Sequence, residues 1–256
     1  MLFQNTVFIG IDPPTSPADI TYAALDKDLQ LLALSKGELR DILAYTGGQQ
    51  SAFVGVNGPR RPNQGLMERD SIRDALQPVP NPGRYTTFRV VEYLLFKRNL
   101  RVPRTDSSLS ACPGWMRTGF KLYKKLEEFG YQEYPADRAP QQMLEVYPHA
   151  SYAVLLERIP FLKKSLEGRL QRQLVLHAQG VDVPDPMSFF EEITRYKILQ
   201  GTLPGDILYT VEELEALMAA YTAWKAALHP EGVTLLGDPS EGEVVLPVKA
   251  LKVKYS

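Results

Sequence analysis

The chain has 256 residues, 44% of them apolar, a formal net charge of −1 and a single cysteine, Cys112. That length suits one large domain or two small ones. The near-neutral charge excludes a generic polyanion binder, and one cysteine excludes an intramolecular disulfide or a thiolate metal cluster.

Met1–Asn5 carries no basic leader, and no segment approaches the ~18 apolar residues of a membrane span. A soluble, cytoplasmic protein with no membrane partner is therefore expected. Val7–Ile11 reads as the first strand and stops at Asp12-Pro13-Pro14. Ile20–Leu25 and Leu29–Leu34 flank Asp26-Lys27-Asp28, a hairpin signal that extends the first strand into an antiparallel meander. Glu38–Tyr45 reads as a short helix stopped by Gly47-Gly48. Ala52–Val56 is a fourth strand ending in Asn57-Gly58-Pro59; the intervening helix lets it run parallel to the first. Residues 58–83 are rich in Pro, Gly, Asn and Arg, with a short helix at Leu66–Leu76. Thr86–Lys97 is helix-compatible, Arg98–Pro113 reads as loop, and Met116–Phe129 is an amphipathic helix stopped by Gly130. Gln142–Val146 is a fifth strand running into Tyr147-Pro148-His149. Helices follow at Ser165–Ala178 and Thr210–Leu228, with a turn at Gly201–Gly205 between them and a closing strand at Glu243–Val248. The order predicts a mixed α/β sheet covered by helices.

Acids gather at element ends. Asp12 ends strand one, Glu145 lies in strand five, and the last helix opens with Glu212, Glu213 and Glu215. Thr210-Val211-Glu212-Glu213 fits a capping box, which assigns Glu213 to the backbone of Thr210. Glu212 and Glu215 share a helix face that continues through Ala216, Ala219, Ala223 and Ala226. A small-residue side of this kind approaches a sheet closely and carries both acids towards the strand ends. Clustered carboxylates repel unless a cation lies among them. Oxygen ligands suit Mg²⁺ or Mn²⁺, and two such ions are the standard device for phosphodiester hydrolysis. The plainer reading is that each Glu is a solvated surface group and Asp12 a turn former.

The order of these pieces resembles a known family. The Val7–Asp12 strand and hairpin, Phe53-Val54-Gly55-Val56-Asn57-Gly58-Pro59, Glu145-Val146-Tyr147-Pro148 and Lys164-Ser165-Leu166-Glu167-Gly168-Arg169 all match. So do Glu215–Ala223 and the Gly237–Gly242 turn before a final strand. Together they resemble the prokaryotic predicted-nuclease family of ribonuclease H-like fold (domain of unknown function 429). The resemblance implies a single domain over residues 1–256 with an insertion at about 58–140. It also implies a five-stranded sheet, three antiparallel strands plus parallel ones, flanked by helices. It implies a metal-dependent nuclease in which Asp12, Glu145 and Glu215 are catalytic and, with Glu212 and Asn57, hold the metal. The family usually has Asp where this chain has Asn57. Losing that charge weakens a metal site, so a catalytically silent module of the same fold is the alternative.

Basic residues supply a possible nucleic-acid surface. Residues 97–125 contain Lys97, Arg98, Arg101, Arg104, Arg117, Lys121, Lys124 and Lys125 against Asp106 alone, with Trp115, Phe120 and Tyr123 interleaved. Such a surface positions phosphates without reading sequence, and its bland counterpart is a solvated helix face. The resemblance places Lys163, Lys164, Arg169 and Arg172 near the site, and Arg60 and Arg61 follow Asn57 directly. Arg60, Arg61, Lys164, Arg169 and Arg172 are thus candidate phosphate binders. His149 is a candidate proton shuttle, against the commoner role of a loop or capping histidine. An actin-like phosphotransferase also begins with Gly-Ile-Asp, but Pro13 and Pro14 remove two backbone donors its phosphate turn needs.

Overall fold

A computed structural model describes residues 5–14 and 19–256; residues 1–4, which carry most of the leader reading, and 15–18 lie outside the described part. The strands are β1 (Val7–Asp12), β2 (Ile20–Leu25), β3 (Leu31–Gly37), β4 (Ala52–Asn57), β5 (Gln132–Glu133), β6 (Gln141–Val146), β7 (Thr234–Asp238) and β8 (Gly242–Leu246). The α-helices are α1 (Leu39–Gly47), α2 (Asp70–Asp74), α3 (Val90–Lys97), α4 (Gly114–Glu128), α5 (Pro148–Leu156), α6 (Leu166–Ala178), α7 (Ser188–Glu191), α8 (Arg195–Leu199) and α9 (Val211–Leu228). Among the described residues no helix is long and apolar enough to cross a membrane.

The strands form one mixed sheet in the order β3-β2-β1-β4-β6-β8-β7. Among the described residues it has eight strands, which corrects the expected five. The antiparallel meander β1-β2-β3 and the parallel pairs β1/β4 and β4/β6 are present. The additions lie along the outer edge of β6. β5 pairs with its start at Gln142 and Met143, and β8 with its end at Glu145 and Val146. β5 has two residues, too few to show a period. β7 makes an antiparallel hairpin with β8 around Pro239-Ser240-Glu241, where the sequence reads only a turn. β3 begins two residues later than expected because the Asp26 carboxylate accepts from the amides of Asp28 and Gln30, drawing Leu29 into the turn.

Helices cover both faces. On one, Ile9, Ile11, Val54, Val56 and Met143 pack with Ile42 of α1 and Leu122 and Leu126 of α4. On the other, Phe8, Phe53, Leu144 and Val146 pack with Tyr152 of α5, Leu176 of α6 and Leu214 to Ala226 of α9. Helix α5 is missed by the sequence reading. It is apolar on every side because every side is covered, so it lacks amphipathic periodicity; Pro148 in its first turn was its one legible signal.

Two glycines set how deep α9 sits. Gly10 of β1 and Gly55 of β4 are register partners. A Cβ on Gly10 would overlap the backbone of Ala216 and Ala220, and one on Gly55 would lie 2.6 Å from the Ala219 carbonyl oxygen. The alanine side of α9 therefore rests directly on a glycine floor, as its small residues allow.

Candidate functional site

Asp12 and Asn57 each lie two residues beyond those glycines, so side-chain alternation points both at α9. The close approach of α9 brings Glu215 over them. Asn57 Nδ2 donates to Asp12 Oδ1 at 2.6 Å and reaches Glu215 Oε2 at 3.5 Å. Lys163 Nζ lies 3.5 Å from the same Glu215 oxygen. Glu215 is 2% exposed and Asp12 9%. Glu215 Oε1 is buried without any hydrogen-bond partner, an expensive state for a carboxylate.

The electrostatics show the same shortage of positive charge. Burial pushes the Asp12 carboxyl up to about 8, helped by the negative field of Glu215 and opposed by Asn57 and Lys163. Burial also raises Glu215, against the pull of Lys163 and Arg172. Glu212 is exposed at the rim and raises both acids from a distance. Glu213 is the capping residue its sequence predicts: its carboxylate accepts from the Thr210 amide at 2.7 Å, and its own amide donates to Thr210 Oγ1.

Glu145 is not in this cluster. It is the register partner of Val56, one residue out of phase with Asn57, and so faces the other side of the sheet. There Arg89 holds it with two bonds, Nη1 to Oε1 at 2.6 Å and Nη2 to Oε2 at 2.9 Å, and the Arg60 amide adds a third. Strand parity was the overlooked signal. Sequence reasoning also missed Arg89, which is 1% exposed and donates further to the carbonyl of Glu241. Arg60 and Arg61 belong to this side as well. The Arg60 guanidinium pairs with Glu127 and Glu133, and Arg61 donates to the Ser240 carbonyl. Both are engaged with protein groups on this side rather than turned towards Asp12.

The second basic group divides. Arg169 donates to the carbonyls of Tyr209 and Leu208, anchoring the entry to α9. Arg172 is fully buried and donates to the carbonyls of Phe161 and Gly168. Both guanidiniums are engaged with backbone carbonyls. Lys164 is exposed and points to no acidic partner among the described residues, while its neighbour Lys163 is the one that reaches Glu215. His149 lies in the first turn of α5, not in a loop, with Nδ1 3.5 Å from Arg172. Burial, then the charges of Arg172 and Lys163, lower its pKa to about 4. It is a neutral imidazole near pH 7, unsuited to protonating a leaving group.

Among the described residues no group of three or more His, Cys, Asp and Glu side chains is arranged around a metal position. The donors at hand are two carboxylates and one amide. The orphaned Glu215 oxygen and the raised Asp12 fit one hard cation, with Asn57 presenting Oδ1 in place of Nδ2; they do not fit a pair.

The family model described as Protein of unknown function (DUF429) matches residues 7–241, nearly the whole chain. The chain belongs to that family. No curated protein and no solved structure matches it.

Proposed function

Starting from that membership, whose description carries no activity, we propose that the chain is a divalent-cation-dependent hydrolase of phosphodiester bonds in nucleic acid. The observation that supports this most is the buried Asp12–Glu215 pair, short of one positive charge and with one oxygen unpartnered. Asp12 and Glu215 would hold Mg²⁺ or Mn²⁺, with Asn57 as a neutral third donor. A cation held there supplies Lewis acidity and a water activated near neutral pH. Lys163, beside Glu215, would orient a substrate phosphate. His149, neutral above about pH 4, can accept a proton but not deliver one to a leaving oxygen at pH 7.

The test is cleavage of labelled single-stranded DNA, duplex DNA and RNA with Mn²⁺, by wild type and Glu215→Gln. Cleavage that vanishes in Glu215→Gln is the expected result; a wild type that binds Mn²⁺ and cuts none of the three ends the reading.

One observation favours a second reading, a catalytically silent binding module. The Asn57 amide already bridges the two acids as a donor, a role an aspartate could fill only when protonated. Asn57→Asp separates the two. A hydrolase should bind Mn²⁺ more tightly and turn over faster with the third carboxylate, whereas a silent module should gain metal without turnover.

A further inference from the structure

The segment Phe161-Leu162-Lys163-Lys164 joins α5 to α6 and borders the acid pair through Lys163. Its backbone is held hard. The Phe161 amide donates to Gln171 Oε1 at 2.8 Å, and the Phe161 carbonyl accepts from the buried Arg172 at 2.9 Å. The Leu162 carbonyl accepts from the amide and the hydroxyl of Ser165, each at 3.0 Å. Gly168 is required beneath it, since a Cβ there would overlap the Leu162 carbonyl.

Yet this fixed backbone drives its apolar side chains into solvent. Phe161 is 58% exposed and Leu162 82%. Burying either side chain would be favourable, and the loop holds two adjacent ones outward where a ligand can cover both. Lys164 beside them is exposed and lacks an acidic partner among the described residues. An aromatic face, an aliphatic neighbour and an uncommitted ammonium match the needs of unstacked bases on a phosphate backbone. A duplex keeps its base faces covered and could use only the lysines.

We propose that Phe161–Lys164 is a binding element for single-stranded nucleic acid, with Phe161 and Leu162 taking base faces and Lys164 a phosphate. The assignment deepens the proposed hydrolase by naming its substrate class and rests on that reading for its biological sense, but it is tested without catalysis. The rigid backbone means that little order must be created on binding.

The experiment is fluorescence anisotropy with labelled oligothymidylate and its duplex with oligoadenylate, without divalent metal. It uses wild type, Phe161→Ala, Leu162→Ala and Lys164→Ala, each with an unchanged melting temperature. Wild type should hold the single strand, and Phe161→Ala should weaken it roughly tenfold. Lys164→Ala should lower the slope of log affinity against log salt by about one phosphate contact. Binding in the absence of divalent metal separates this loop from the cation site. Failure of wild type to bind, equal binding by Phe161→Ala and Leu162→Ala, or a duplex held as tightly as the single strand would each overturn the assignment.

Discussion

The two faces of the sheet each bury acids, and they treat them oppositely. On the α4 face, Glu145 receives two bonds from Arg89 and one from the Arg60 amide. Glu241 accepts from the amides of Gln64 and Val90, and Glu92 from those of Arg89 and Thr105. Glu145 and Glu241 tie the 58–140 excursion to the sheet, and Glu92 closes the excursion on itself. On the α9 face, Asp12 and Glu215 share one amide and one distant lysine, and an oxygen goes without. The residue types are the same, so burial alone does not mark a functional acid. The distinction lies in whether its partners are complete.

The comparison breaks if the two faces respond alike to loss of charge. Arg89→Met should show the largest effect. It strands Glu145 in the interior and should cost about 3–5 kcal/mol in urea unfolding; a loss below ~1 kcal/mol would mean that the pair is not holding the excursion in place. Asp12→Asn should act with the opposite sign. Removing an under-partnered buried acid should stabilise the metal-free protein at pH 8 by about 1–2 kcal/mol while abolishing Mn²⁺ binding. A destabilised Asp12→Asn would place Asp12 with Glu145 as a structural acid.

The pH dependence sharpens the contrast. Folded Asp12 keeps its proton up to about pH 8, while the unfolded chain releases it near pH 4. The folded state binds more protons in that window, so this group's contribution to stability is lost as pH rises through it. His149 runs the other way: folded it stays neutral down to about pH 4, unfolded it protonates near 6.5, so stability is lost as pH falls between those values. Urea unfolding across pH should therefore show a decline from pH 6.5 to 8 that disappears in Asp12→Asn. In Asp12→Asn, where the opposing carboxyl is gone, it should also show an acid-side loss that shrinks when His149→Gln is added. A flat profile in wild type above pH 6.5 would contradict the Asp12 assignment. The smallest effect belongs to the acid that does neither job: Thr210→Ala should cost about 1 kcal/mol through the cap it shares with Glu213 and leave Mn²⁺ affinity unchanged.

Much of the fold is legible in local pattern. The meander, the crossover into β4 and the capped α9 all follow from apolar runs, glycine stops and the Thr210–Glu213 box. The edge strands are not legible, because β5 is two residues long and β7 reads as the approach to a turn. Asp12, Asn57 and Glu215 are legible as a group because each sits at a strand end or on a helix's alanine side. Glu145 was misplaced because gathering acids at strand ends ignores the period of two that sends neighbours to opposite faces. The matched triplets Gly10-Ile11-Asp12 and Gly55-Val56-Asn57 carried the correct register all along, with the same spacing from floor glycine to polar tip. Arg89 could not be found this way, since nothing local distinguishes a buried arginine from a surface one.

The most direct measurement is a calorimetric titration of Mn²⁺ into wild type and Asp12→Asn at pH 7.5. Saturable binding of one ion by wild type, absent in Asp12→Asn, is the result this account predicts. No binding by wild type, or equal binding by both proteins, would show that the incomplete pair beneath α9 is not a cation site.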